Sequence, residues 1–319
     1  MMVPQREKKA GPMKRLVLPA LAAALLLLCA PQLPAAAAPG EIADCNPQDR
    51  SKEAIDACSR ILSLPGLSAL DRGKALLVRG FLHYGHNELD LARIDLEEAQ
   101  QIIASPDISR MLANLYMALG RSDQAIAEFT RLIDAGPPTA DLYGGRGAAY
   151  QNAGRFDESI ADFNQVLALK PDDLSALNNR ASAYWKKGDL DTALKEFDAV
   201  LAIAPDMAAA LANRCMILAR QGHFDQGRPS CDKAEKLTPG DSLLLISIGA
   251  AYYDAGQFES AIAYCDRGLQ SMPNAAPALY IRALAEARLG RNDDSKRDMM
   301  EAERLQPDVA AYMAKVGMK

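Results

Sequence analysis

Few side chains in this sequence are suited to chemistry. The chain has three histidines and six cysteines. His83-x-x-His86 places two imidazoles one helical turn apart, a spacing that metal sites use, but no third ligand is evident and the cysteines form no C-x-x-C pair. A phosphate-binding P-loop, a G-x-S-x-G turn, an H-E-x-x-H motif and a dinucleotide-binding fingerprint are all missing from the sequence. We therefore expect a protein that is not an enzyme, with no metal site and no cofactor.

Composition favours helices and argues against nucleic-acid binding. Hydrophobic residues make up 49% of the chain and aromatic residues 6%. Alanine and leucine dominate, and both are strong helix formers. The formal net charge is −5, so the chain lacks the basic surface that would hold nucleic acid.

The N-terminus has the three parts of a secretory signal peptide. Basic residues precede an uncharged run over 16–29, and small residues follow over 35–38. We expect 1–38 to be removed during export, so that the protein is periplasmic or secreted. The alternative is an uncleaved signal anchor, which would be the only contact of the chain with a membrane. The apolar run is short for a bilayer crossing.

A period of 34 residues runs through the rest of the chain. Small residues recur at positions 8 and 20 of each unit, a bulky residue at position 24 and proline at position 32. In the unit 174–207 these residues are Ala181, Ala193, Phe197 and Pro205. Two apolar stripes at helical spacing flank a glycine at which the first helix can end and turn. A single helix pair cannot bury its apolar face alone, so neighbouring units must stack.

This pattern resembles the tetratricopeptide-repeat (TPR) family over nearly all of the chain after the signal, as in an exported bacterial-type member. The resemblance implies an all-α fold, namely a right-handed α-solenoid of stacked helix-turn-helix units. Seven units are predicted over 73–309, after a degenerate N-terminal repeat or cap at 39–72. Residues 310–319 are predicted to form a C-terminal capping helix.

Arginine recurs at position 7, with an acidic residue at position 23 in four units. Ile248 and Tyr264 replace both charges in a further unit. We predict that the four pairs are ion pairs between the two helices of one unit. Arg214 faces Ser230 instead, so we expect it to bind Glu196 of the preceding unit, the alternative being a contact with a ligand. The predicted pairs are Arg79–Asp95, Arg146–Asp162, Arg180–Glu196 and Arg282–Asp298.

Five cysteines follow the signal. Cys215 and Cys231 occupy positions 8 and 24 of one unit, on facing sides of its two helices, and we predict a disulfide between them; the alternative is two buried thiols. Cys45 and Cys58 either form a second disulfide in the degenerate first unit or remain thiols. Cys265 is predicted to be an inert thiol in the core.

The resemblance also assigns a candidate peptide-binding groove, because in this family the first helices of successive units line a concave surface. Trp185 is the only tryptophan and a candidate binding anchor, although it could instead pack against the next unit. Asn179 and Asn213 recur at position 6 and could bind a peptide backbone, or simply face solvent. The lysine pattern with which this family grips a C-terminal carboxylate is not matched cleanly. The candidate groove residues are Asn178, Asn179, Trp185, Lys186, Asn213, Met216, Arg220, Ile246, Tyr253 and Tyr280.

Taken together, the sequence predicts a non-catalytic scaffold or adaptor that binds a protein or peptide in this groove. The alternative is an accessory or regulatory subunit of an envelope enzyme complex.

Overall fold

The computed structural model describes residues 45–315 of the 319-residue chain. Those residues form 16 α-helices and contain no strand. The predicted signal peptide lies outside the described residues. The chain divides between Pro137 and Pro138 into two compact units. Both are built mainly from antiparallel helix pairs, as the 34-residue period predicts, with one further helix each among residues 45–315, at the start of the first unit and at the end of the second.

Five helices make up the described part of the first unit, residues 45–137, and each packs against the next along the chain. Serine side chains cap three of them: Ser51, Ser68 and Ser105 accept hydrogen bonds from backbone N–H groups of the first turn. The helices are α1 (Lys52–Leu62), α2 (Ala69–Gly85), α3 (Leu89–Ile102), α4 (Pro106–Ala118) and α5 (Ser122–Ala135).

Eleven helices make up the described part of the second unit. They form five helix pairs, and the short last helix packs on the pair before it. The helices are α6 (Ala140–Asn152), α7 (Phe156–Leu169), α8 (Leu174–Lys187), α9 (Leu190–Ile203), α10 (Ala208–Arg220), α11 (Phe224–Leu237), α12 (Ser242–Asp254), α13 (Phe258–Ser271), α14 (Ala276–Arg288), α15 (Asn292–Leu305) and α16 (Val309–Lys315).

The small residues of the repeat allow the helices of a pair to approach closely. Ala181 and Ala193 are fully buried beside Phe197. In the preceding pair, a Cβ added at Gly147 would lie 3.2 Å from the ring of Phe163. Any larger residue at this position would have to displace the aromatic ring that fills the core.

The turn inside each pair requires a left-handed backbone conformation. Gly188 ends α8 at φ +93°, and its N–H donates to the carbonyl of Trp185. In the pair formed by α2 and α3 the same place is taken by Asn87, at φ +63°. Asparagine adopts this conformation more readily than most residues with a Cβ, so this turn keeps the same backbone conformation without glycine.

The first unit departs from the predicted boundaries in two ways. Helix α2 begins at Ala69, so the boundary predicted at residue 73 falls inside a helix that Ser68 caps. Of the degenerate repeat predicted at 39–72, the described residues contain one complete helix, α1, which packs against α2. Residues 45–51 form turns and bends in place of the first helix of a pair.

Both candidate disulfides are present in the structure. Cys215 on α10 is bonded to Cys231 on α11, with a Cα–Cα distance of 5.6 Å. Cys45 is bonded to Cys58 and ties the segment before α1 to that helix. Cys265 is a free buried thiol, and burial raises its pKa to about 12. Because thiolate is the reactive form, this cysteine is expected to be inert.

Each of the four predicted ion pairs forms between the two helices of one helix pair. Arg146 binds both carboxylate oxygens of Asp162 at 2.8 Å, and Arg79 binds Asp95 in the same way at 2.7 Å. The side chain of Asp162 is only 6% exposed. The remaining two pairs are Arg180–Glu196 and Arg282–Asp298.

The prediction that Arg214 binds Glu196 was wrong. Its Nε lies 2.7 Å from Asp198 of the preceding pair, and its Nη1 donates to Ser230 at 3.0 Å. Asp198 occupies position 25 of its 34-residue repeat, two residues after the acidic position 23. Arg282 makes the equivalent contact with Asp266. An arginine at position 7 can therefore join two successive helix pairs as well as the two helices of its own pair.

Glu286 is a buried carboxylate that forms no salt bridge with any residue in the described part of the chain. It occupies position 11 on α14, where four other units have tyrosine. The residue is 7% exposed, and its Oε2 has no hydrogen-bond partner among residues 45–315. Burial, and then repulsion from Asp298, raise the pKa of Glu286, whereas Arg282 and Arg297 act in the opposite direction.

We predict that Glu286→Gln stabilises the protein at neutral pH by about 1 kcal/mol, because the amide removes a buried charge. A raised carboxyl pKa means that the folded state holds the proton more tightly than the unfolded state. The destabilisation caused by ionised Glu286 is therefore absent at pH values below the ordinary carboxyl pKa, and it grows as the pH rises through the pKa of Glu286 in the folded state. Thermal midpoints of the two proteins at neutral and acid pH test this. A lower midpoint for the glutamine variant at neutral pH would contradict it.

Candidate functional site

The first helices of four successive pairs in the second unit line a cavity of about 510 Å³. Helices α8, α10, α12 and α14 supply one wall, and the short helix α16 supplies another. Six of the ten predicted groove residues line it: Trp185, Lys186, Asn213, Met216, Arg220 and Ile246. The structure therefore brings these six predicted residues together around one cavity, whose other lining residues were not predicted.

One end of the cavity is polar and is built by α8 and α10. The guanidinium of Arg220 lies 5.3 Å from the centroid of the Trp185 ring. Its Nε donates to Asp254 on α12 at 2.9 Å, and both side chains are about nine-tenths buried. Burial raises the pKa of Asp254, and the charge of Arg220 opposes that shift. Arg220 is thus held against an aromatic face and an acid of the protein itself.

Lys186 differs from Arg220 although both line the cavity. Its ammonium has no ion pair or hydrogen bond within residues 45–315, and burial alone lowers its pKa. The adjacent Lys187 points elsewhere and binds Asp157 at 2.6 Å. Lys186 is therefore a partly desolvated cation with no counterion from the described chain.

The opposite end of the cavity is apolar and contains large side chains that water still reaches. Leu243 is 65% exposed, Tyr312 45% and Met272 40%. Ile281 and Met313, which are buried, form the floor of this part of the lining. Exposed side chains of this size are costly in water when they cluster, and clusters of this kind mark interaction sites.

Helix α16 closes the apolar end, which the sequence did not predict. A capping helix was predicted at 310–319, and a helix is present over Val309–Lys315. Val309 and Met313 are buried, and α16 packs on α14 and α15. Tyr312 and Met313 also line the cavity, so this helix contributes to the candidate site in addition to covering the last pair.

The other four predicted groove residues do not line the cavity. Tyr253 is 7% exposed and packs on Phe258 at 5.6 Å, so it belongs to the core. Tyr280 is partly buried against that core. The backbone carbonyl of Asn179 accepts a hydrogen bond from Gln151 at 2.6 Å. Asn178 has a buried Oδ1 with no partner in the described part of the chain.

The two histidines of the His83-x-x-His86 motif have separate partners. His83 Nδ1 lies 2.6 Å from Glu88, and His86 Nε2 lies 2.8 Å from the carbonyl of Arg50. No group of three or more metal-binding side chains occurs among residues 45–315. These histidines connect the segment before α1, helix α2 and the turn to α3 in the first unit.

The sequence model of the tetratricopeptide repeat matches five overlapping segments of the chain, which together extend from residue 110 to residue 310. This is more than half of the chain. The chain belongs to the tetratricopeptide-repeat family. The helix pairs, the positive-φ turns and the stacking described above are the structure that this family name denotes. TPR proteins are in general protein-interaction scaffolds that bind proteins or peptides and have no catalytic activity of their own. The matched segments are 110–173, 145–208, 178–242, 213–276 and 246–310.

Solved structures show the same fold. A TPR protein from Parabacteroides merdae is 15% identical, with a TM-score of 0.64 over 77% of this chain and 98% of that chain. A chain in the crystal structure of the APC/C hetero-tetramer Cut9–Hcn1 is 17% identical, with a TM-score of 0.53 over 76% of this chain and 54% of that chain. A TPR protein from Thermus thermophilus is 21% identical, with a TM-score of 0.50 over 56% of this chain and 98% of that chain.

No curated protein matches this chain. Among the helices within residues 45–315, none is both long and apolar enough to cross a membrane.

Proposed function

We propose that this TPR protein is an exported adaptor that binds a segment of another protein in the cavity of its second unit. The observation that carries the proposal is the cavity itself. It combines large exposed apolar side chains with an uncompensated cation, and four successive first helices contribute to it. A surface of this composition is costly in water and becomes favourable when a partner covers it.

Export is supported by the N-terminal signal pattern and is compatible with two disulfides. Disulfides persist in oxidising compartments such as the periplasm and the extracellular space. The groove residues retained in this proposal are the six that line the cavity, together with Leu243, Ile281, Tyr312 and Met313 from the structure. Asn178, Asn179, Tyr253 and Tyr280 are left out because they lie outside the lining.

A random peptide library displayed on phage tests the proposal with the full chain purified after export. We expect enriched peptides to bind wild type and to lose about tenfold or more in affinity on Leu243→Asp. Leu243 is the second residue of α12 and is exposed, so aspartate there is compatible with the helix start.

Leu70 offers a matched control. It is the second residue of α2 and is 54% exposed, but it lies in the first unit, outside the cavity. Leu70→Asp should leave binding unchanged, and Trp185→Ala should weaken it. Peptides that bind all three variants equally, or no enrichment at all, would contradict the proposal.

A further inference from the structure

The two ends of the cavity require different chemistry from whatever occupies it. Lys186 and Arg220 stand at the end built by α8 and α10, whereas the exposed side chains of Leu243, Met272 and Tyr312 stand at the end formed by α12, the turn before α14, and α16. An entirely apolar segment would leave the ammonium of Lys186 desolvated without a counterion. An entirely polar segment would leave the apolar end uncovered.

Lys186 differs from the other cations near the cavity because no acidic side chain among residues 45–315 forms an ion pair with it. Arg180, Lys187, Arg214 and Arg220 each bind a carboxylate of the protein at 2.6–2.9 Å. The chain has 41 acidic residues, yet none is placed against Lys186 among those described. Lys186 is partly exposed at the cavity wall, and a partner that covers it would bury its charge. A cation that becomes buried in this way is stable only with a counterion, so a carboxylate from the partner is the complementary group.

Arg220 does not compete for that carboxylate. Its charge is already compensated by Asp254, whose side chain is 10% exposed. The polar end therefore offers one available positive charge, and one carboxylate neutralises it. The partner segment is expected to carry a single acidic residue at this point, among residues that are otherwise apolar.

The face beyond Lys186 allows a partner chain to continue. On α6, the first helix of the preceding pair, Gly144 and Ala148 occupy groove positions 5 and 9 and are partly exposed. A Cβ at Gly144 would have only Val166 within 4 Å, at 3.8 Å, so no large side chain covers this position. Small residues let another backbone lie close to the helix. The acidic residue is thus better placed inside a chain than at its end.

We infer that the cavity binds an amphipathic peptide segment in which an internal aspartate or glutamate side chain meets Lys186 and aliphatic or aromatic side chains cover the exposed side chains of Leu243, Met272 and Tyr312. The inference rests on the proposed function, since it specifies the partner of the same cavity. It adds the residue that sets specificity, the kind of side chain recognised and the orientation of the segment. The acid points to α8 and the apolar residues to α16.

The test compares the phage-displayed peptides selected by wild type, Lys186→Glu and Lys187→Glu. Wild type should enrich peptides with aspartate or glutamate beside at least two large apolar residues. Lys186→Glu should abolish the acidic preference or reverse it toward lysine and arginine. Lys187→Glu, a change at an exposed neighbour that binds Asp157, should select the same peptides as wild type.

Synthetic versions of the most enriched peptide then identify the carboxylate. Replacing its acidic residue with asparagine or glutamine should weaken binding to wild type about tenfold or more, and should have less than this effect on Lys186→Glu. Amidation of the peptide C-terminus should leave affinity unchanged. A loss on amidation equal to the loss on acid replacement would show that the terminal carboxylate is the group recognised, and would overturn the inference.

The remaining outcomes separate the two proposals. Peptides that depend on Leu243 but show no acidic preference, or keep it in Lys186→Glu, would overturn this inference and leave the proposed function standing. The absence of any peptide that depends on Leu243 would overturn both.

Discussion

Arg146→Met should lower the free energy of unfolding of this protein by about 3–5 kcal/mol, the cost of leaving a buried charge without its partner. Asp162 would keep its carboxylate in a site where its side chain is 6% exposed, having lost both hydrogen bonds from the guanidinium. Arg146 also lies between the rings of Tyr143 and Tyr150, so the loss includes packing. Urea denaturation followed by far-UV circular dichroism gives the change.

The double variant Arg146→Met/Asp162→Leu distinguishes this explanation from a simple loss of packing. Removing both charges should restore stability to within about 1 kcal/mol of wild type, or exceed it, because well-packed apolar residues replace buried ion pairs at little cost. The pair Lys170–Asp141 is the control. It links α6 to the residue that follows α7, and its side chains are 56% and 80% exposed. Lys170→Met should change stability by less than about 1 kcal/mol. A double variant as unstable as the single one would contradict the explanation.

Loss of the Cys215–Cys231 disulfide is expected to have the second large effect. The bonded cysteines are 16 residues apart in the sequence. A disulfide that closes a loop of this length typically stabilises the folded protein by about 3 kcal/mol, because it restricts the conformations of the unfolded chain. Helix α11 depends on it more than other helices would, because α11 contains Gly227 and Pro229. Proline inside a helix removes a backbone hydrogen bond, and glycine lowers helix propensity.

We therefore expect Cys215→Ala/Cys231→Ala to lower the urea midpoint and to speed amide hydrogen exchange first in α10 and α11. The same measurement on Cys45→Ala/Cys58→Ala should show faster exchange near α1 and unchanged exchange in α11, because neighbouring pairs in a repeat protein unfold with partial independence. Exchange in α11 that is as slow in Cys215→Ala/Cys231→Ala as in wild type would show that the disulfide does not hold this helix.

The repeat and its internal contacts could be predicted because they occur at a constant separation. Arg146 and Asp162 are 16 residues apart, and the same separation recurs in Arg79–Asp95 and in Cys215–Cys231. Comparing units with each other therefore identified both the ion pairs and the disulfide across α10 and α11. Position 25 was missed because its residue, such as Asp198, faces the arginine of the next unit instead of its own.

The candidate site was predictable only in part. Position rules located Trp185, Lys186 and Arg220, since groove positions repeat along with the units. They did not show that Tyr253 turns into the core against Phe258, because a tyrosine at a groove position can point either way. Nor did they show that Asp254 compensates Arg220 whereas Lys186 contacts no acidic side chain among residues 45–315, since both cations occupy position 13 of their units.

The sequence by itself determined the helix pairs of this protein, their turns and the crosslinks within a pair. These features depend on short sequence separations, on residue size and on backbone conformation. All three recur in every repeat, so the comparison of one repeat with another reveals them. Only the tertiary structure decided which side chains share the cavity. That depends on how successive pairs pack and on where α16 lies, and a single short helix outside the repeat has no second copy with which to compare it. Tyr312 and Met313 entered the site for this reason, as residues that the 34-residue period does not reach.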